Sequence, residues 1–484
     1  MPLPSSFWVD EEVTAFVVHY GADHPSFAIA PQVTKSVYYA LPRAAEAVLG
    51  FSEISYRLPS VLLMGLALFL IARLAARLIH PEAAWFAVFA CLALRGINYE
   101  AADARPYALG TCVAAAAFLY LARWLDSARW SYALLFVLFG ALVWRVHLVF
   151  WPIYIVFALY TVIRIGHHET PVKWSAGLAV FALVGVTLVP VLMDALALFR
   201  EAGAHVIVDV PNPRDLRNSL KLGLLAVGAG VLLIGWRFEW RREDPPPAWG
   251  SWALIAGWWL IYPLALYAFS VATGNSVFVA RYLSIGLPGA ALATTLLAAP
   301  LVPRAQWKPL AAALGLGVLL FLGQWRTLSP PHQNSDWRAA ARGINQLSAG
   351  PGTPVICPSP FIEARTPAWR SDYPLPGFLY ANLPVYPLKG TPYLLPFEPS
   401  PEAEQYAATL SRETLPPSGR FFVFGGDRNV RYWTNWFAAQ SELRAWTHRA
   451  LGPFGDVEAV VFERPSEIAY QRGSVTEPRT VRER

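Results

Sequence analysis

The stretch RLPSVLLMGLALFLIARLAAR, residues 57–77, decides the fold. Between Arg57 and Arg73 no side chain carries a charge, and Leu, Val, Met, Phe and Ile fill most positions. Such a run, read as a helix over 58–79, crosses about 30 Å of hydrocarbon, which takes roughly 17 to 25 residues. Comparable runs follow near 83–99, 105–125, 130–146, 148–165, 174–194, 219–236, 249–270, 282–300 and 308–325. The pattern predicts about ten transmembrane helices, the fourth and fifth joined in a tight hairpin broken around Arg145, His147 and Pro152.

Composition agrees. Of 484 residues, 55% are hydrophobic and 15% are charged, whereas soluble domains carry about 25% charged residues. The 20 Trp, 20 Tyr and 27 Phe suit the headgroup region, where one end of a ring is apolar and the other wet. A net charge of +6 raises nucleic acid as a partner, but the basic residues lie in short loops between apolar runs, so the chain is read as having no nucleic-acid partner. Cys91, Cys112 and Cys357 form no disulfide framework, and MPLPSSFWVDEE lacks the basic flank and apolar core of a signal peptide.

Lys and Arg near span ends stay on the cytoplasmic side. Arg73 and Arg77, Arg123 and Arg129, Arg164 and Lys173, Arg237, Arg241 and Arg242, and Arg304 and Lys308 occupy alternate loops, which are therefore read as inside. Residues 1–57, the 100–105 turn, the 145–147 hairpin, the 195–218 and 271–281 loops and everything after about Leu328 are read as outside. Both termini then fall outside, which suggests that translation begins upstream of Met1 and adds one more span; insertion from Met1 is the alternative. Translating the DNA upstream of Met1 would decide between them.

Past Leu328 the chain turns polar and Pro-rich, with short apolar strands at 354–357, 420–424 and 458–462 and helical patterns at 336–347 and 430–446. Strands alternating with helices predict a small α/β domain. Four regions result: a first external loop at 1–57, a helical membrane domain at 58–328, an extracytoplasmic α/β domain at 329–465, and a charged, frayed tail at 466–484.

Chemistry-bearing residues gather in the loops read as external. FWVDEEVTAF, residues 7–16, holds Asp10, Glu11 and Glu12, followed by His19, Asp23 and His24, with Phe7 and Trp8 placed to press the segment onto the interface. Two readings stand: a solvated acidic loop, or a carboxylate held at the membrane surface to take a proton from an acceptor hydroxyl. NYEAADARPYAL, residues 98–109, crowds Glu100, Asp103 and Arg105 between two spans, where ionisable groups are costly and have a task or a partner. An Asp103–Arg105 pair ending a helix is one explanation, with Pro106 a normal helix-start residue; an arginine that forks onto a phosphate is the other. Arg281 in FVARYLSIGLP and Glu53 and Arg57 in FSEISYRLPS also sit at outer span ends, where snorkelling to the headgroups competes with a binding role. Trp369, Tyr373, Trp433 and Trp436 could stack on sugar rings or fill the core of the outer domain.

On FWVDEEVTAF, SEISYRLPS, EAADARPYAL, VARYLSIGLP and SDWRAAARGINQL (335–347), taken in order along residues 5–347, the chain resembles the polytopic C-type (GT-C) glycosyltransferases, family 39-like, the bacterial relatives of protein O-mannosyltransferases and aminoarabinose transferases. The resemblance implies an inner-membrane enzyme that moves a sugar from a polyprenyl-phosphate donor to a lipid, glycan or protein acceptor on the extracytoplasmic side. It makes Asp10 the catalytic base and Glu11 its neighbour, with Asp103 a further catalytic candidate. It makes Arg105 and Arg281 candidates for the donor phosphate, and from its own place at an outer span end Arg57 joins them, with Glu53, Glu100, Tyr107 and Tyr282 as supporting candidates. The family's His-Pro-Pro element is reduced to His24-Pro25-Ser26, so no role passes to His24 from the family. No cofactor is certain; a divalent metal near Asp10, Glu11, His19 or His24 is possible on donor chemistry. No Gly-rich phosphate loop is present, and Gly425–Gly426 reads as a turn after a strand. A transporter or flippase of lipid-linked sugars is the rival function, although charges at span ends rather than mid-membrane favour surface chemistry.

Overall fold

The structure is a computed structural model that describes residues 3–201, 208–242, 244–321, 333–365, 369 and 377–465. It divides into two compact units. One takes Ala30–His332 and the chain's first residues as far as Pro4, and the other takes Ser5–Ile29 and everything from Gln333. Tyr373 and the tail after Pro465 lie outside the described residues.

The first unit is helical. Glu53–Leu78 begins on a Ser52 cap, whose hydroxyl accepts the Ser55 N–H at 3.1 Å, with Glu53 in the first turn where the helix dipole favours an acid. Met64, Ala67, Ile71, Leu74 and Leu78, three or four apart, face the interior, while Leu62, Leu66 and Phe69 are exposed. A helix apolar on both faces is at home in lipid, where exposed leucine has no water to avoid. Among the described residues five helices are long and apolar enough to cross a membrane: Glu53–Leu78, Tyr107–Ser127, Leu148–Gly166, Trp174–Leu198 and Trp249–Thr273. Pro213–Ser219 and Leu222–Arg237, bent by 49°, make a sixth if counted as one span. The protein is thus a multi-pass membrane protein. Other apolar segments are shorter helices, among them Ala84–Leu92, Trp130–Val146, Leu287–Ala298 and Trp307–Phe321.

Small residues bring these helices together. A Cβ on Gly228 would lie 2.5 Å from the Thr294 carbonyl oxygen, and one on Gly289 would lie 2.5 Å from the Trp259 backbone nitrogen. Without hydrophobic drive between helices in lipid, such close backbone approach supplies the packing.

Contacts tie together all five loops read as cytoplasmic. Arg77 and Arg164 share Asp126, Arg164 at 2.6 Å. Glu169 accepts the N–H groups of Trp249 and Gly250, each at 2.9 Å. Arg242 donates to the carbonyls of Ile79 and Ala299, and Glu82 faces Lys308 at 3.6 Å. The alternation of basic loops is therefore realised as one clustered end of the unit.

The second unit contains a five-stranded sheet. Strands β1 (Pro354–Pro358), β2 (Thr391–Leu395), β3 (Arg420–Gly426), β4 (Thr447–Phe454) and β5 (Val457–Glu463) run in the order β2-β1-β3-β5-β4. Pairing is parallel for β2-β1-β3 and antiparallel for β3-β5-β4. The three strands expected from sequence are β1, β3 and β5, the buried interior of the sheet. The two additional strands, β2 and β4, are its edges, where Pro392 and Pro453 are tolerated because no ladder needs their missing N–H. Gly425 and Gly426 finish β3 rather than forming a turn after it. Trp337–Leu347 starts on Asp336, which accepts the Ala339 N–H at 3.0 Å. The helix expected at 430–446 is Asp427–Ala438, because the chain turns at Ser441–Leu443 and enters β4.

Candidate functional site

The candidate residues divide between the two units. In the second, Asp10, Glu11 and Glu12 open the helix Val9–Tyr20, where carboxylates oppose the positive end of the helix dipole. Glu11 is buried and caps the helix by accepting the Trp8 N–H at 3.3 Å. Glu12 is buried with no hydrogen-bond partner for either oxygen among the described residues. Burial, with Glu11 beside it, holds the Glu12 carboxyl well above the ordinary carboxylate value. Asp10 is half-buried, so of the three it alone is partly exposed. Phe7 is fully buried and its N–H donates to the Tyr386 hydroxyl at 2.8 Å, which makes it part of this unit's packing, not an interfacial anchor.

His19 is exposed. His24 accepts the Ser26 N–H at Nδ1, 3.2 Å, and stands 2.8 Å from the Ser26 hydroxyl, its ring packed among Phe16, Tyr20 and Phe27. Among the described residues no three His, Cys, Asp or Glu side chains are arranged to hold a metal ion. Trp369 and Trp433 are buried, as core aromatics are, and Trp436 stacks its edge on Phe437. Next to His24 a cavity of about 400 Å³ is lined by Phe16, Tyr20, Leu383 and Pro384.

In the first unit the other candidates surround one turn. Helix Arg95–Ala101 ends before Pro106 starts Tyr107–Ser127, and the break between them carries buried Asp103 and half-buried Arg105, with Glu100 buried just upstream. Arg281 lies in the short helix Ala280–Leu283, its guanidinium 5.4 Å from the Tyr282 ring centre. Two bonds from the neighbouring span hold this segment, Tyr262 hydroxyl to the Tyr282 carbonyl at 2.8 Å and Trp258 indole to the Ile285 carbonyl at 2.8 Å, while the Trp259 indole reaches the Leu220 carbonyl at 2.8 Å. Trp258 and Trp259 stand in a π-helical turn, Gly257–Ile261, which turns both indoles toward their acceptors.

Tyr107 and Tyr282 approach to 6.3 Å between ring centres, and His147 lies 5.9 Å from the first and 5.1 Å from the second. Arg105 and Arg281 both stand near enough to His147 that, after desolvation, their charges push its imidazole well below the ordinary value. The fold thus assembles Arg105, Tyr107, Arg281 and Tyr282, and adds His147. Sequence reasoning saw His147 only as part of a hairpin break; a single histidine between two apolar runs was the available signal. Arg57 is fully buried on Glu53–Leu78 and donates to the Leu3 carbonyl at 3.0 Å. Glu53 is half-buried in the first turn of that helix, which packs against Arg95–Ala101. Asp10 and Glu11 belong to the other unit.

A many-helix membrane unit joined to a small mixed sheet, with guanidinium groups at helix breaks, defines the class of fold expected from the sequence. The comparisons agree. The family model for dolichyl-phosphate-mannose-protein mannosyltransferase matches residues 36–192, a stretch that holds Arg57, Arg105 and His147 but not Asp10 or Arg281. Two crystal structures of ArnT from Cupriavidus metallidurans, one in the apo state and one bound to undecaprenyl phosphate, each align over 95% of this chain and 94% of their own, with a TM-score of 0.53 and 12% identity. The chain therefore has a fold like that of ArnT. No curated protein matches by sequence.

Proposed function

We propose that this protein is a membrane glycosyltransferase that takes a sugar from a polyprenyl-phosphate donor and passes it to an acceptor outside the cytoplasm. The observation that carries this reading is the pair Arg105 and Arg281 converging on His147, in a fold like that of ArnT, one structure of which is bound to undecaprenyl phosphate. The supporting chemistry is simple. The donor's anomeric carbon–oxygen bond breaks and its electron pair leaves with the phosphate, which needs positive charge rather than a proton. Guanidinium groups supply that charge in a planar, two-pronged form.

Asp10 takes the proton of the acceptor hydroxyl as that oxygen bonds to the anomeric carbon from the opposite face, so configuration inverts. Its partial exposure at a helix start, beside buried Glu11 and Glu12, supports this choice of base. Glu11 shapes the helix start, while Asp103 and Glu100 orient Arg105, and Arg57, buried on the helix that packs against Arg95–Ala101, adds positive charge from within. About ten spans, basic loops in the cytoplasm, the sheet unit on the outer face and the inner membrane as location complete the proposal. Membrane lipid and the donor are its partners; the acceptor is a lipid, glycan or protein.

The test uses membranes containing the full chain and undecaprenyl-phosphate sugars with a labelled sugar. The unaltered protein releases undecaprenyl phosphate and transfers label; Asp10→Asn reduces transfer by about a hundredfold or more at equal abundance. Full activity in that variant would remove Asp10 as the base. A flippase would move the labelled lipid between leaflets without releasing undecaprenyl phosphate, and that outcome would replace the transferase reading.

A further inference from the structure

Hydrogen bonds to three backbone carbonyls hold the turn at His147 in one geometry. The Val146 carbonyl accepts the Ser36 hydroxyl at 2.7 Å, the Phe150 N–H donates to the His147 carbonyl at 3.0 Å, and the Trp144 indole donates to the Leu148 carbonyl at 2.6 Å. The ring itself is oriented by Val149, whose N–H donates to Nδ1 at 3.3 Å. A neutral imidazole that accepts at Nδ1 must carry its proton on Nε2. Among the described residues Nε2 has no hydrogen-bond partner, and the ring is half-buried rather than sealed. The rings of Tyr107, Phe150 and Tyr282 flank it at 5.9, 5.4 and 5.1 Å.

We propose that His147 is a third phosphate-binding group of the donor site, its Nε2–H donating to an oxygen of the phosphate that Arg105 and Arg281 attract. The inference rests on the donor reading above and deepens it. A histidine between two guanidinium groups cannot compete for protons with them, which keeps it a neutral, directional donor instead of a base. The arginines provide field and His147 provides direction, because its one available N–H is aimed by the Val149 bond. The chemistry recognised is a lipid phosphate, a diester in the donor and a monoester once the sugar has left, and the lipid tail plays no part in this contact.

Two amide replacements separate the donor from the local cap. His147→Gln places an N–H near the position of Nε2, while His147→Asn keeps an acceptor near Nδ1 and loses the outer donor. Binding of undecaprenyl phosphate to the purified full chain in detergent is measured for each, with thermal unfolding confirming that each is folded. The Asn variant should bind about tenfold more weakly or worse, the loss of one hydrogen bond to a charged group, and the Gln variant should stay within about threefold. Undecaprenol, which lacks phosphate, should bind the unaltered protein and both variants alike. Inorganic phosphate, used as a competitor, should lose potency in the Asn variant. Retention by Asn, equal loss in both variants, an equal effect on undecaprenol, or unchanged phosphate potency would overturn the proposal. No binding of undecaprenyl phosphate by the unaltered protein would overturn the donor reading itself, and His147's role with it.

Discussion

Two clusters in the helical unit use arginine in opposite ways. Where the basic loops meet, Arg77 and Arg164 share Asp126, Arg164 also bonds the Tyr160 hydroxyl at 2.8 Å, and Glu169 lies 3.6 Å from the Arg164 guanidinium. Around His147, two guanidinium groups act on an imidazole that they help to keep neutral. The first arrangement closes helices on one another by matching each charge. The second sets two guanidinium groups near an imidazole at a helix break, the arrangement on which the proposed donor site rests. Arginine at a span end is therefore no guide to role; its neighbours are.

The largest expected effect breaks or confirms this contrast on the anion side. Arg281→Ala should lower donor kcat/KM by about a hundredfold, the scale for removing one preorganised charge-stabilising group, while shifting thermal unfolding little. Donor kinetics unchanged in that variant would reduce the His147 cluster to a structural feature. A smaller effect is expected at the other cluster. Arg164→Met leaves Asp126 and Glu169 short of a partner and should cost about 2 kcal/mol, below the roughly 3–5 kcal/mol of a fully buried pair because Asp126 retains 29% exposure. It reads as a fall of several degrees in unfolding midpoint with donor KM unchanged, and a raised donor KM in folded protein would erase the distinction between the clusters. The smallest effect belongs to Glu82→Gln. Its partners Arg304 and Lys308 are 70% and 76% exposed, so the midpoint should move by less than about 0.5 kcal/mol equivalent.

Legibility followed locality. Membrane embedding was readable because a helix must cover a fixed thickness of hydrocarbon, which makes a run such as residues 57–77 a measure of length as much as of composition, although of the ten runs read only five or six are long, apolar helices among the described residues. Buried strands β1, β3 and β5 were readable for the same kind of reason: apolar runs inside a sheet stand out, whereas edge strands β2 and β4 carry Pro and exposed polar residues and blend into loops. At the acidic segment, the sequence showed three neighbouring acids and a spacing, but could not say that Glu11 and Glu12 are buried and Asp10 half-buried, since that depends on what packs over the helix.

Membrane embedding, the inner strands and the arginine and carboxylate candidates were determined by sequence alone, because each is a property of one short run or one side chain. Only the tertiary structure decided that residues 105, 147 and 281 gather at one turn and that residues 5–29 join the sheet unit. Such meetings between residues distant along the chain are set by how helices pack, and no local pattern records them.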